Sequence, residues 1–321
     1  MRRLILDAPA KINLSLDVVG RRDDGYHLLS TVMQSLQLAD RVTLTADLSD
    51  PGVSLTCDIP ELPVDRRNTA WRAASLFLET AGLAAKTGCG VRIAIEKKIP
   101  LEAGLAGGSA DAAAVLAGLD LLYPGHVGQE QLLDLAARIG ADVPFCLRGG
   151  TALCEGIGEK LTSLEPWEHL PVLLCKPAGG LLTSWVFSQL RFDRIDHRPD
   201  QVAVIDAIRR QNLRSLAGVT ANVLESISLP AMPELVLIKQ RLLESGAELS
   251  LMSGSGPTVF GLFKNQEACL AACETLHHTD LPGLTLLPTV TSAFGPRPVL
   301  CEVGGAVDGS LPCLYNLITI V

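Results

Sequence analysis

The stretch that most constrains the fold is IPLEAGLAGGSADAAAVL, residues 99–116. Gly104, Gly107 and Gly108 give it a flexible backbone directly before an alanine-rich run that favours a helix. The first N–H groups of a helix lack internal partners and carry partial positive charge, so anions bind there. Glycines just upstream let a phosphate approach the main chain. The stretch therefore predicts a phosphate-binding loop that opens a helix, with Ser109 as its cap and Asp111 in its first turn.

Spacing alone leaves a second interpretation open, in which the glycines merely end a strand at 91–96 and begin a buried helix. The two commonest nucleotide-binding motifs are absent from the sequence. There is no G-x-x-x-x-G-K-[ST], and no G-x-G-x-x-G follows a predicted strand. If the loop binds a phosphate, it does so in neither of those two folds.

Length and charge limit the class of protein. A chain of 321 residues is long enough for two domains, and 48% hydrophobic with 19% charged residues fits a packed globular protein. The formal net charge of −8 does not fit a nucleic-acid or membrane-surface binder, so we expect neither partner. An anionic ligand must then be met by local donors.

The cysteines and the N-terminus indicate a cytoplasmic protein. Nine cysteines are scattered without paired spacing, which favours a reducing compartment over a disulfide scaffold. The first residues, MRRLILDAPAKINLSL, resemble neither a signal peptide nor a transit peptide. No uninterrupted apolar run reaches the length of a membrane span.

Periodicity predicts an α+β protein in two parts, with a boundary near Pro166. Residues 10–18 alternate as a strand that places Lys11 and Asn13 on the same side. The other predicted elements of the first part are strands at 42–48, 53–59 and 91–96 and helices at 68–80 and 129–139, with a turn at 20–26 and a break at 140–150. Those of the second part are strands at 172–176 and 284–290, a pair about a glycine turn in 249–263, and helices at 202–208, 235–243 and 265–277.

Three ordered motifs resemble those of the GHMP kinases, the family of galactokinase, homoserine kinase and mevalonate kinase. They are APAKINLSL (8–16), PLEAGLAGGSADAA (100–113) and LMSGSGPTVF (251–260), and the resemblance covers about residues 4–293. It implies a domain of the ribosomal-protein S5 domain 2 type over 1–165, a ferredoxin-like domain over 166–294, and an active site in the cleft between them. Residues 295–321 match nothing, and LYNLITIV (314–321) is interpreted as an added strand, a partner-binding tail or an appendage.

The resemblance also implies ATP as phosphate donor, with Mg²⁺ accompanying it. Ser109 is then the nearest protein contact for the ion, and we expect no dedicated protein metal site. Lys97 and Lys98 are either part of the nucleotide side or a solvated strand end. The implied ATP-binding residues are Asn68, Pro100, Leu101, Glu102, Ala103, Gly104, Leu105, Ala106, Gly107, Gly108 and Ser109.

For phosphoryl transfer to an alcohol, the resemblance implies that Asp142 is the catalytic base and Lys11 its electrostatic partner. An ammonium beside the carboxylate would keep it ionised and stabilise charge on the transferring group. Without the resemblance, an aspartate after Gly-Ala would be interpreted as the cap of a helix or turn.

Residues 8–36 and 139–161 are most similar to family members that phosphorylate a cytidine-diphosphate-linked methylerythritol in isoprenoid precursor synthesis. This similarity implies that Tyr26 and Phe187 stack on cytosine, that His27 bonds its edge, that Thr183 is a polar contact, and that Asn13 holds the methylerythritol. Pattern alone favours a surface turn at Tyr26, a solvated His27 and a core position for Phe187.

Two other functions remain open from the sequence. One is a different small-molecule kinase of the same family, of the homoserine or mevalonate type. The other is a non-catalytic nucleotide-binding protein with the same fold. In each case we expect a small-molecule ligand and a monomer or homodimer.

Overall fold

The computed structural model of the protein describes residues 2–47, 52–83, 89–279, 281–303 and 306–307. It begins with a long antiparallel hairpin of β1 (Arg2–Arg21) and β2 (His27–Asp47), joined by the predicted turn. One side of β1 carries apolar residues into the core, as alternation predicts. The other side, with Lys11 and Asn13, is also buried, because it faces the second half of the molecule.

The hairpin forms the centre of the first sheet, whose strand order is β12-β11-β1-β2-β4-β3, with β5 and β6 branching from β2. The connection from β3 to β4 contains helix α1 (Thr69–Thr80), and the two strands are parallel, as a helical crossover allows. The further strands of this sheet are β3 (Gly52–Cys57), β4 (Gly90–Glu96), β5 (Thr151–Gly156), β6 (Lys160–Leu164), β11 (Arg297–Val303) and β12 (Ala306–Val307).

Four helices cover one face of this sheet, and the second of them lies in the core. The helices are α1 (Thr69–Thr80), α2 (Gly107–Leu122), α3 (Gln129–Ile139) and α4 (Val143–Arg148). Small side chains let α2 lie close to the strands. A Cβ at Gly118 would approach Leu44 Cδ1 to 2.4 Å and Leu6 Cδ1 to 2.9 Å. Close packing of this kind fixes where the N-terminus of α2 points.

The second sheet has the antiparallel order β10-β7-β9-β8. With helices between its first and second strands and between its third and fourth, it is a ferredoxin-like domain, as the resemblance implies. The strands are β7 (Pro171–Lys176), β8 (Leu249–Met252), β9 (Val259–Leu262) and β10 (Thr285–Val290). The helices are α5 (Thr183–Gln189), α6 (Gln201–Arg209), α7 (Leu213–Val219), α8 (Glu225–Ala231), α9 (Glu234–Glu244) and α10 (Gln266–His277), with a 3₁₀ turn at Phe192–Arg194.

The segment after β10 returns to the first sheet. Its strand β11 pairs with β1 in antiparallel register, Arg2 opposite Val303 and Asp7 opposite Arg297. The part of the chain that matched no known pattern thus contributes a strand to the sheet that carries Lys11. The segment LYNLITIV, 314–321, lies outside the described residues.

Candidate active site

A cavity of about 860 Å³ lies between the two halves of the molecule. It is lined by the β1–β2 hairpin, the loop before α2, the residues that open α4, helix α5 and the loop between β8 and β9. Every predicted site residue except Asn68 lines it. The predicted residues in its wall are Lys11, Asn13, Tyr26, His27, residues 100–109, Asp142, Thr183 and Phe187.

The loop before α2 has an unusual backbone. Glu102 and Ala106 adopt positive φ angles of 49° and 59°, and Gly104 has φ 71°. A Cβ at Gly104 would lie 2.2 Å from the carbonyl oxygen of Ser253, so this position requires glycine. The two glycine-containing loops therefore pack main chain against main chain at the edge of the cavity.

Helix α2 begins at Gly107, which corrects the prediction that Ser109 caps it. The residue before the helix is Ala106, and no side chain caps this end. Ser109 instead lies in the first turn and lines the cavity. The uncapped first-turn N–H groups are free to bind a ligand, which is the arrangement that anion-binding helices use.

Asp111 lies beyond the first turn of α2, which corrects its predicted position. It is buried, and its Oδ2 accepts a 2.7 Å hydrogen bond from Lys97 Nζ, while Lys97 also pairs with Asp40. Asp40 in turn accepts hydrogen bonds from the backbone N–H groups of Lys98 and Ile99, at 2.6 and 2.8 Å. This buried triad of Asp40, Lys97 and Asp111 ties the end of β4 to α2.

Burial in the triad excludes one of the two interpretations for Lys97, and it shifts the pKa of Asp111. Lys97 is no solvated strand end, since its side chain is only 3% exposed, whereas Lys98 is exposed. Burial raises the pKa of Asp111 to about 7, against the opposing charge of Lys97. The two carboxylates raise the pKa of Lys97 by more than burial lowers it.

Lys11 and Asp142 meet across the cavity floor, with 3.7 Å between Nζ and Oδ2. Lys11 Nζ also donates to Asn13 Oδ1 at 2.7 Å and to the carbonyl of Gly104 at 3.0 Å. Asp142 directly precedes α4, but its side chain makes no capping hydrogen bond. Its carboxylate is 33% exposed and faces the cavity, so capping does not explain it.

Three rings gather at the other end of the cavity. The ring centroid of His27 lies 5.2 Å from that of Phe187 and 6.4 Å from that of Phe192. Tyr26 is 61% exposed at the rim. The ring that packs on Phe187 in this structure is therefore His27. Burial, and to a smaller extent the charge of Arg21, lowers the pKa of His27.

Several residues of the site were missed in the sequence. Phe192 lies in a short 3₁₀ turn with no distinctive pattern, and Thr69 and Ser184 are ordinary first-turn residues. Arg21 and Asp24, which also line the cavity, lie in the turn that was predicted at 20–26. Charged residues beside an aromatic in a turn were the signal that could have found them.

Asn68 caps helix α1. Its Oδ1 accepts from the N–H of Ala70 at 2.9 Å, and its Nδ2 donates to the carbonyl of Pro63 at 2.9 Å. Its neighbour Thr69 lines the cavity in its place and donates to the carbonyl of Gly108 at 2.7 Å. The nucleotide contact assigned to Asn68 stays a prediction.

No three histidine, cysteine, aspartate or glutamate side chains among the described residues are grouped so that they could hold a metal ion. No helix in the same residues has the length and apolar character needed to cross a bilayer.

Two family models match the chain. The model of the GHMP kinases N terminal domain matches residues 68–150, and that of the GHMP kinases C terminal domain matches residues 204–277. The first match contains the phosphate loop and Asp142.

Curated relatives match most of the chain. The chain is 46% identical over 272 residues to the 4-diphosphocytidyl-2-C-methyl-D-erythritol kinase of Acetivibrio thermocellus, covering 84% of this chain and 94% of that protein. It is 46% identical over 260 residues to the enzyme of the same name from Clostridium botulinum, strain Langeland, covering 81% and 91%.

Solved structures show the same fold. A crystal structure of 4-(cytidine 5'-diphospho)-2C-methyl-D-erythritol kinase matches with a TM-score of 0.75 at 37% identity, covering 91% of this chain and 100% of that one. Homoserine kinase from Cytophaga hutchinsonii matches with a TM-score of 0.73 at 21% identity, covering 92% and 97%. The second likeness concerns the fold alone.

Proposed function

The chain belongs to the GHMP kinase family, and within it to the 4-diphosphocytidyl-2-C-methyl-D-erythritol kinases, and from this we propose a reaction and the residues that carry it out. The protein transfers the γ-phosphate of ATP to the 2-hydroxyl of 4-diphosphocytidyl-2-C-methyl-D-erythritol. One observation carries the assignment of residues. The uncapped end of α2, the Lys11–Asp142 pair and the packed rings of His27 and Phe187 line a single cavity.

The nucleotide phosphates bind at the start of α2. The first-turn N–H groups are uncapped, and Gly107 and Gly108 present no side chain there. Amides held rigidly by the packed glycine loops stabilise the transferring phosphoryl group without reorganising. Asn68, beside the cavity-lining Thr69, remains our candidate for a contact near the adenine.

Asp142 acts as the base. Its carboxylate faces the cavity, and Lys11, 3.7 Å away, counters charge on the phosphoryl group. Lys11 is itself held in place by Asn13 and Gly104. Because these hydrogen bonds hold the Lys11 side chain in one rotamer, its ammonium stays beside Asp142 and orients that carboxylate.

The cytidine of the acceptor binds between the hairpin turn and α5. Tyr26 and Phe187 supply stacking surfaces, and His27 supplies the hydrogen bonds that select the base. Thr183 is fixed by a 2.9 Å hydrogen bond to Ser255. Asn13 holds the methylerythritol. Its amide lines the cavity and is fixed there, because its Oδ1 accepts from Lys11 and its Nδ2 donates to Thr31.

A magnesium ion fits this site as a companion of the nucleotide. Ser109 and Asp142 both line the cavity and offer the oxygen donors that Mg²⁺ prefers. When bound, the ion would neutralise part of the negative charge on the phosphates.

We also place the reaction in the cytoplasm, carried out by a monomer or homodimer. The eight cysteines that are described are all unpaired, which supports a reducing compartment. The net charge of −8 supports a small-molecule ligand without nucleic acid or membrane as partner.

The test is ADP release from ATP with a panel of alcohols. We expect release with 4-diphosphocytidyl-2-C-methyl-D-erythritol and background release with homoserine or mevalonate. A preference for one of those two acceptors would contradict the assignment, as would ADP release that does not depend on any acceptor.

A further inference from the structure

Three positively charged side chains line the cavity among the described residues, and two of them are already matched by acids. Lys97 is held between Asp40 and Asp111, and Lys11 lies beside Asp142. The third is Arg21. Within the part of the chain that the structure describes, no carboxylate lies within 4 Å of its guanidinium, and its Nε donates to the carbonyl of Gly25 at 3.2 Å. Arg21 therefore brings an uncompensated positive charge to the cavity.

The position of Arg21 associates it with the acceptor end of the cavity. It ends β1 directly opposite His27, the first residue of β2. Its charge reaches the imidazole, because it contributes to the lowered pKa of His27. The phosphate loop that serves ATP contacts the middle of β1, where the N–H of Lys11 donates to the carbonyl of Leu105.

Neither Asp23 nor Asp24, the two acids of the same turn, pairs with Arg21 within the described residues. Asp24 also lines the cavity, but its Oδ2 pairs with Arg22 at 2.7 Å and its Oδ1 accepts from the N–H of Tyr26 at 3.2 Å. Arg22 is absent from the cavity wall. Arg22 thus pairs with Asp24, and the charge of Arg21 stays available to a ligand.

We propose that Arg21 binds the diphosphate of the acceptor, an inference that rests on the proposed function. The acceptor must run from the rings at His27 to the Lys11–Asp142 pair, with its diphosphate between its base and its alcohol. A guanidinium presents several N–H donors in the planar geometry that suits phosphate oxygens. In a protein of net charge −8, a dedicated cation is needed to draw such an anion in. Arg21 is then a specificity residue that distinguishes a nucleoside diphosphate from a nucleoside.

Direct binding of cytidine and of CDP to the intact protein tests this without turnover. We expect wild type to bind CDP more tightly than cytidine. In Arg21→Gln, the affinity for CDP should fall about tenfold while that for cytidine stays within about twofold, since only the phosphate contact is lost. Arg21→Lys should lie between the two. Arg72→Gln, which removes an exposed charge on α1 outside the cavity, is the matched control and should change neither affinity.

Equal loss of cytidine and CDP binding in Arg21→Gln would overturn the proposal, because it would mean that Arg21 only shapes the turn. Unchanged CDP binding would overturn it as well. Binding of ATP, measured on the same variants, should not change; a loss there in place of the CDP loss would assign Arg21 to the donor. The kinase assignment fails separately, through absence of acceptor-dependent ADP release in wild type.

Discussion

At position 142 a carboxylate lies at the start of a helix without capping it, so its removal separates catalysis from folding. We predict that Asp142→Asn lowers kcat on the order of a hundredfold to ten-thousandfold, because the base is lost. The Kd for ATP and the melting temperature should stay near wild type, since the side chain makes no capping hydrogen bond. Steady-state kinetics together with nucleotide binding check this.

Lys11→Ala is the companion variant. It removes the ion pair at 3.7 Å and should lower kcat in the same direction. If either variant kept a near-normal kcat, the assignment of the pair would be wrong.

Asp111 makes the stability of the folded protein depend on pH. Its folded-state pKa of about 7 lies above the ordinary 3.8, because burial disfavours the charge and the neighbouring Asp40 adds to the rise, against the opposing charge of Lys97. The folded protein thus holds this proton more tightly than the unfolded chain does. The resulting stabilisation is fully present below about pH 4 and is lost as the pH rises through about 7.

We therefore predict that Asp111→Asn, which does not titrate, gains stability relative to wild type between pH 5 and pH 8. The gain should be at most about 1.4 kcal/mol per pH unit. Urea unfolding of both proteins at several pH values measures it. A difference between the two that is independent of pH would contradict a raised pKa, whatever constant offset the lost Lys97 contact adds.

Among the elements, α4 is held by the segment that follows β10. A Cβ on Gly149, at the end of α4, would lie 1.9 Å from the backbone nitrogen of Gly295, and one on Gly295 would lie 2.6 Å from the carbonyl of Leu147. Asp142 opens the same short helix, so a shift at one end moves the other.

We predict that Gly295→Ala lowers kcat roughly tenfold to hundredfold through displacement of Asp142, with the Kd for ATP unchanged. The backbone of Gly295 does not need positive φ, so the added methyl acts by its volume alone. Gly218→Ala, with open space around it, is the control and should keep wild-type kcat. A lower melting temperature with normal kcat would mean that the contact between Gly295 and α4 contributes only to stability.

Elements with strong periodicity were predictable, and those formed by partners were not. Helix α3 and strand β4 agree with the predicted ranges to within one residue, because their own pattern determines them. The first half of β2 was missed, since its sequence HLLSTVMQSLQL lacks alternation and β1 and β5 pair with it from both sides. Strand β11 was also missed, because β1, the strand with which it pairs, is distant in the sequence.

The site divides in the same way. The phosphate loop, Lys11 and Asp142 could be named from motifs that resemble a family. The role of Lys97 could not, because Asp40 and Asp111, its partners, lie 57 and 14 residues away in sequence. Ser109 was placed wrongly for a local reason. Ala106 takes up a left-handed conformation that starts the helix earlier than a serine cap would.

On the scale of the molecule, one arginine ties the second half to the hairpin of the first. Arg198, between α5 and α6, pairs with Asp17 of β1 and donates to the carbonyl of Val18 at 3.0 Å. Gln201 adds a second link, accepting from Ser15 at 2.7 Å. These contacts set the distance between the hairpin turn and α5, the two walls proposed to hold the cytidine.

We predict that Arg198→Met raises the KM for the cytidine acceptor several-fold and leaves the KM for ATP within about twofold, because the loop before α2 contacts the second half at the loop between β8 and β9 and not at Arg198. Methionine keeps the apolar length of the side chain and removes the charge. Arg214→Met is the matched control, since neither Arg214 nor its partner Glu248 lines the cavity, and it should leave both KM values unchanged. Equal rises in the two KM values would show that the link orders the whole cleft and not the acceptor walls alone.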